Sequence, residues 1–231
     1  MADKPKVAVV LSGCGVYDGA EIHEAVLTLL ALDRQGAEVA CFAPNVPQAH
    51  VINHLTGQPA EGESRNVLVE SARIARGAIR DLAEYRAADF DALVFPGGFG
   101  AAKNLSTFAF AGADMEVEAE VERAVRDTCA AGKPIGALCI APTILARLLA
   151  PVQVTIGADA GVAAAIEAMG SHHVTTGHGG VVVDAATRVA TTPCYMLDAT
   201  ISQIEAGASA VVAAVLAMVR GETPAGTATA A

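Results

Sequence analysis

Short apolar runs alternate along the chain with longer segments in which apolar residues recur every three or four positions. The run KVAVVLSG (residues 6–13) is rich in β-branched residues and ends in glycine, the pattern of a buried strand. GAEIHEAVLTLLALDRQG (19–36) then has the spacing of a helix closed by Gly36. EVACFAP (38–44) repeats the strand pattern and is stopped by Pro44. SRNVLVESARIARG (64–77) predicts a helix capped by Ser64, and the polar stretch 45–63 before it reads as an insertion. DALVFPGG (91–98) predicts a buried strand that ends in a glycine turn, and DMEVEAEVERAVRDTCAAGK (114–133) a helix with acids early and glycine at its close. PIGAL (134–138) is then a strand, APTILARLL (141–149) a helix and VQVTI (152–156) another strand. GVVVD (180–184) and RVATT (188–192) predict a hairpin, and residues 199–220 a long final helix.

Strands that are apolar on both faces and alternate with helices imply a mostly parallel sheet covered on both sides, a three-layer α/β sandwich. A single domain over residues 1–220 is expected, followed by a frayed, low-complexity tail at 221–231. The chain is 53% hydrophobic and only 17% charged. Its longest apolar run, ASAVVAAVLAMV (208–219), falls short of the ~18 residues that a membrane span needs and reads as a buried helix. The charged start runs directly into a strand without the apolar core of a secretory signal, so a cytoplasmic placement is expected, with no membrane partner. A formal net charge of −10 without a Lys/Arg cluster argues against a nucleic-acid partner.

Cys14, Cys41, Cys129, Cys139 and Cys194 are scattered, with no C-x-x-C pair and no zinc-like histidine spacing. Neither a disulfide framework nor a metal site is indicated, and a free cysteine is by default a small apolar filler. In a parallel sheet the ligand crevice lies beyond the carboxyl ends of the strands, so the chemistry is sought there. The first strand end, SGCGVYDGAE (12–21), has glycines at 13, 15 and 19 but departs from G-x-G-x-x-G, and the second strand ends without an acid for a ribose hydroxyl. No nucleotide cofactor is therefore expected. In FPGGFG (95–100), Gly97 and Gly98 let backbone N–H groups turn toward a bound oxygen. In GALCIAPTIL (136–145), Cys139 follows a strand directly and precedes Pro142 in a first helical turn, the placement of a nucleophile elbow. A helix N-terminus there would lower the thiol pKa, and the N–H of Ile140 would pair with that of Gly98 as an oxyanion hole.

Taken together, residues 6–44, ALVFPGGFGAAKNL (92–105) and GKPIGALCIAP (132–142) resemble the class I glutamine amidotransferase-like superfamily, in its intracellular-protease and glyoxalase III branch. With HVINHLTG, RNVLVESARI and TTPCYML, the resemblance runs from residue 6 to 219. It implies a flavodoxin-like sandwich, a reactive elbow cysteine at Cys139, a homodimer, and a cofactor-free activity that converts a small dicarbonyl, glyoxal or methylglyoxal, to a 2-hydroxy acid. Aligning GAEIHE with the glyoxalase-like pattern selects Glu24 as the carboxyl that touches the cysteine, with Glu21 one turn earlier in reserve and His178 as a further candidate. Departures narrow the activity. Protease-like members follow the cysteine with histidine, where this chain has Ile140, and the late His-x-Glu pair of the amidotransferases is missing, since Gly179 and Gly180 follow His178. Peptidase and glutaminase activity are not expected. The competing class is a non-enzymatic redox sensor or stress protein built on an oxidisable elbow thiol.

Overall fold

The computed structural model describes residues 4–224, so most of the 221–231 tail lies outside the described residues. Its strands are β1 (Lys6–Val10), β2 (Glu38–Ala43), β3 (Ile52–Asn53), β4 (Gln58–Pro59), β5 (Ile79–Asp81), β6 (Ala92–Phe95), β7 (Ile135–Leu138), β8 (Gln153–Val154), β9 (His172–His173), β10 (Val182–Asp184) and β11 (Val189–Thr192). The α-helices are α1 (Ile22–Arg34), α2 (Val67–Ile74), α3 (Phe99–Lys103), α4 (Phe108–Ala111), α5 (Ala119–Ala130), α6 (Pro142–Leu148), α7 (Ala160–Ala168) and α8 (Ile201–Val219). Seven strands form the central sheet in the order β10-β11-β7-β6-β1-β2-β5, parallel throughout except for β10 against β11.

Every residue of β6, β7 and β11 is buried, as is β1 beyond Lys6, because helices cover both faces. One core joins Phe42, Leu93, Phe95 and Ile135 of the sheet to Val121 and Val125 of α5 and Ile144 of α6. The other joins Val7, Val9 and Val94 to Leu32 of α1 and Val211 and Val215 of α8. The fold is thus the mostly parallel α/β sandwich that the alternating pattern predicts, in the flavodoxin-like form that the family resemblance implies.

Helix α8 is 19 residues long with a mean hydropathy of 1.6, enough by length and composition alone to cross a bilayer, so the element is longer than the apolar run read from the sequence. Here Ile204, Ala208, Val211, Val212 and Val215 are buried against α1 and the sheet.

Several boundaries move for local reasons. The helix expected over 114–133 begins at Ala119, where the Glu118 carboxylate accepts the N–H groups of Glu120 and Val121, each at 3.0 Å. The helix expected from Ser64 is capped instead by Asn66, whose Oδ1 accepts the Val69 N–H at 3.1 Å. VQVTI shrinks to Gln153–Val154, which pairs with His172–His173 outside the main sheet. The polar stretch 45–63 holds the β3-β4 hairpin and docks on the loop after β1, where the Asp18 carboxylate accepts the Ile52 N–H at 2.7 Å. Strand β5 and helix α7 were not signalled by the hydrophobic pattern, the first being short and partly polar and the second rich in alanine, with Val162 and Ile166 as its large apolar residues.

Candidate active site

Strand β1 lies between β2 and β6, and from it the chain builds the sheet outward in both directions. Such a switch in strand order opens a crevice at the carboxyl ends. Three loops meet there: the segment after β1 that enters α1, the Pro96–Gly98 turn after β6, and Cys139 directly after β7. Cys139 has φ of 60°, left-handed backbone that a non-glycine residue rarely adopts. The strain is held in place because the Cys139 N–H donates to Thr192 O at 2.9 Å while Ala141 N–H donates to Leu138 O at 3.0 Å. This is the sharp strand-to-helix turn of a nucleophile elbow.

The main-chain N–H groups of Gly98 and Ile140, the two donors picked out in the sequence, lie close enough to the Cys139 sulfur to favour its thiolate form. Gly98 is in a conformation open to glycine, with φ of 99°, and any side chain on it would collide with the Glu21 backbone nitrogen. A methyl group on Gly97 would overlap the Cys139 Cβ and lie 2.7 Å from Glu24 Oε2. The absence of side chains at this turn lets thiol, carboxyl and backbone donors share one small space.

Glu24 is fully buried on α1 and lies beside Cys139, whose thiol favours the charged form of the carboxyl. Its Oε2 accepts the Gly97 N–H at 3.0 Å and its Oε1 the Tyr195 N–H at 3.1 Å. Burial raises its pKa to about 8, with the Glu21 charge adding to the shift and the two backbone donors and the thiol opposing it. The carboxyl is therefore largely protonated at neutral pH. The Cys139 thiol is also pushed well above its ordinary range, first by burial and then by the Glu24 charge, against the N–H groups of Gly98 and Ile140. This corrects the expectation of a lowered thiol pKa: two backbone donors at the elbow do not outweigh the loss of water around the sulfur.

Glu21 has a different task. It is the N-cap of α1, its Oε2 accepting the Glu24 N–H at 2.7 Å while its own N–H donates to Gly97 O at 2.9 Å. His178 lies in an exposed turn before β10. The glycine-bearing loop after β1 packs on the β6 turn, with Phe99 N–H donating to Val16 O and Gly100 N–H to Gly19 O, both at 2.8 Å. Among the described residues no group of three or more His, Cys, Asp or Glu side chains is placed to hold a metal ion.

Sequence reasoning did not find the turn after β11. There Cys194, buried and with φ of 41°, precedes Tyr195, whose N–H reaches Glu24 and whose hydroxyl lies 2.8 Å from His23 Nδ1 on α1. A backbone donor from a distant segment leaves no mark in residue identity, so nothing in the pattern pointed to it.

A parallel sandwich with an elbow cysteine at its switch point and a helix-borne carboxyl against the sulfur is the architecture of the class I glutamine amidotransferase-like proteins. Within that class the chain belongs to the DJ-1/PfpI family, whose model matches residues 6–205. It is 54% identical to the human glutamine amidotransferase-like class 1 domain-containing protein 3, mitochondrial, over 91% of this chain and 82% of that one. The crystal structure of an isoprenoid biosynthesis protein with an amidotransferase-like domain from Ehrlichia chaffeensis superposes with a TM-score of 0.85 at 40% identity, covering 92% of this chain and 99% of that one. Glyoxalase III from Candida albicans shares the fold, with a TM-score of 0.62 at 13% identity over 92% of this chain and 96% of that one. The human relative and the ES1 proteins of rat and zebrafish are mitochondrial, which overturns the cytoplasmic placement. A strand that starts at Lys6 shows how the sheet begins and carries no information on compartment.

Proposed function

We propose that this protein is a cofactor-independent glyoxalase that converts glyoxal, and methylglyoxal in the same way, to glycolate and lactate. The observation that carries this reading is the buried Glu24 carboxyl in contact with the elbow thiol, beside two backbone donors. Within the family the chain is read as an ElbB-type protein (enhancing lycopene biosynthesis protein), supported by its likeness to the Ehrlichia isoprenoid biosynthesis protein. A homodimer belongs to the same reading, and a strictly monomeric mass by light scattering would remove it.

In the proposed mechanism the thiol–carboxyl pair loses one proton, and when the remaining proton sits on Glu24, Cys139 is a thiolate. The thiolate adds to one aldehyde carbon, forming the C–S bond. The oxygen of that carbon becomes an alkoxide, held by the N–H groups of Gly98 and Ile140, and takes the proton from Glu24. Glu24, now a carboxylate, removes the hydrogen of the same carbon as a proton, giving an enediol, and returns it to the neighbouring carbon. The carbon bearing sulfur becomes a thioester while its neighbour becomes an alcohol, so two electrons pass between the two carbons and none leaves the substrate. Water then cleaves the C–S bond, releasing the 2-hydroxy acid and restoring the thiol.

Steady-state acid production from a panel of dicarbonyls by the metal-free protein tests this reading. Wild type should turn over glyoxal, Cys139→Ser should lose activity without losing the fold, and Cys14→Ser should keep most of it. Near-normal turnover in Cys139→Ser would sink the covalent mechanism. Peroxide oxidation and carbonyl addition both start from the thiolate, so the redox-sensor reading is tested separately, by mass-detected oxidation of Cys139 under mild peroxide.

A further inference from the structure

Glu24 takes its two backbone donors from supports of unequal rigidity. Gly97 follows the buried strand β6, and its turn is tied to α1 by the Glu21 N–H, which donates to Gly97 O at 2.9 Å. Tyr195 lies instead in a single turn of 3-10 helix, Cys194–Met196, closed by Met196 N–H to Pro193 O at 2.9 Å and Leu197 N–H to Cys194 O at 3.2 Å. This turn starts from a left-handed cysteine with φ of 41°. The side-chain hydrogen bond that joins it to α1 is the one between the Tyr195 hydroxyl and His23 Nδ1, at 2.8 Å. His23 directly precedes Glu24 in the chain, and Tyr195 is the residue whose N–H meets Glu24 Oε1 at 3.1 Å. One residue pair therefore spans the same two segments as the backbone bond to the carboxylate, at the rim of the site.

We infer that His23 and Tyr195 are positioning residues: their side-chain bond clamps the turn after β11 onto α1, keeps the Tyr195 N–H on Glu24 and so sets the proton affinity of that carboxyl. The inference deepens the glyoxalase reading but concerns a titration that takes place without substrate. The groups facing Glu24 from the surrounding elements are the Cys139 thiol at the elbow, Glu21 at the start of its own helix, and Cys194 and Tyr195 on the turn. Of these, Cys194 and Tyr195 ride on the clamped turn, and the hydrogen bond to Glu24 that the clamp controls is the one from the Tyr195 backbone N–H. It stabilises the charged carboxylate, so its loss leaves a buried carboxyl that holds its proton to higher pH. Burial and the charges of Glu21 and Glu24 raise the Tyr195 hydroxyl pKa, so it stays protonated and able to donate to an acceptor nitrogen.

Carbon-13 NMR of protein labelled at the glutamate carboxyl carbons, titrated without any dicarbonyl, tests the clamp, with the Glu24 signal assigned by its absence in Glu24→Gln. Tyr195→Phe and His23→Leu should each raise the Glu24 midpoint by roughly one pH unit, the effect of removing one donor from a buried carboxylate. His23→Asn, which can accept from the tyrosine hydroxyl through its side-chain oxygen, should stay near wild type. A purely structural role would not distinguish asparagine from leucine in this way. His23 is exposed, so its variants keep the test open if Tyr195→Phe fails to fold. Midpoints in Tyr195→Phe and His23→Leu that superpose on wild type would overturn the clamp. Loss of glyoxal turnover is read separately, so a clamp that holds in a protein without glyoxalase activity would disprove only the function.

Discussion

Glu21 and Glu24 are three positions apart on one helix start, yet the fold gives them opposite surroundings. Glu21 spends its carboxylate on the free N–H of Glu24 at 2.7 Å, whereas Glu24 is turned inward to two N–H donors and a thiol. Glutamine at position 24 offers one acceptor oxygen to two donors, so one backbone N–H would face an amide NH2. It also lacks the proton that the enediol step moves. Turnover by Glu24→Gln should fall by roughly 10²-fold or more, the range for a general acid–base group. Glu21→Gln keeps a capping oxygen and should cost a few tenths to ~1 kcal/mol of stability with little loss of rate. Steady-state kinetics and thermal melts on the pair check this, and a dead Glu21→Gln beside an active Glu24→Gln would shift the proton carrier by one turn. Cys139, Gly98 and Ile140 were legible in the sequence because the elbow and the glycine turn are local patterns, whereas Glu24 was selected by the resemblance to the glyoxalase-like relatives. The thiol's raised pKa was not legible, because its burial is a property of the assembled fold.

At the level of elements, the approach of α8 to the sheet depends on a missing side chain. A Cβ on Gly136 of β7 would come within 2.9 Å of Val215 Cγ2 on α8, and Val215 belongs to the core cluster that includes Cys139, three positions after Gly136. Gly136→Ala should therefore destabilise the protein by about 1–3 kcal/mol through overpacking, and Val215→Ala by a similar amount through the cavity it leaves. The double variant should cost less than the sum of the two, since the added methyl fills part of the space vacated by valine. Urea unfolding of the three variants measures this, and strict additivity would show that the two positions do not share a contact. The long elements here were readable because α1, α5 and α8 keep one apolar stripe over several turns. Strand β8 was misjudged because VQVTI has strand propensity throughout, while only two of its residues find a partner, in β9. The α5 boundary depended on which acid could fold back as a cap, a choice that periodicity does not contain.

For the whole molecule, the parallel sense of the sheet and its burial could be anticipated because apolar runs on both faces leave a parallel sandwich as the simple solution. One consequence of that burial reaches the global stability. Glu24 has an ordinary pKa of 4.5 when solvated and about 8 when folded, so between these values the folded chain holds a proton that the unfolded chain has released. Its contribution to stability is fully present below about 4.5 and is lost as the pH rises through about 8. At ~1.4 kcal/mol per pH unit the total amounts to several kcal/mol, a large share of a typical folding free energy. The net charge of −10 acts in the same direction, since self-repulsion grows as carboxyls ionise, but it is spread over the surface and is screened by salt. Urea midpoints measured in high salt should therefore fall as the pH is raised from mildly acidic to alkaline, and Glu24→Gln should flatten much of that slope. The variant is expected to be less stable than wild type in acid, where its amide faces a backbone donor, and more stable in alkali, where wild type carries a buried charge. Glu21→Gln removes a charge that adds to the Glu24 shift and should narrow the pH window while keeping most of the wild-type slope, since burial is the larger cause. Parallel curves for wild type and Glu24→Gln, with no crossing, would show that Glu24 is not the group that couples folding to pH.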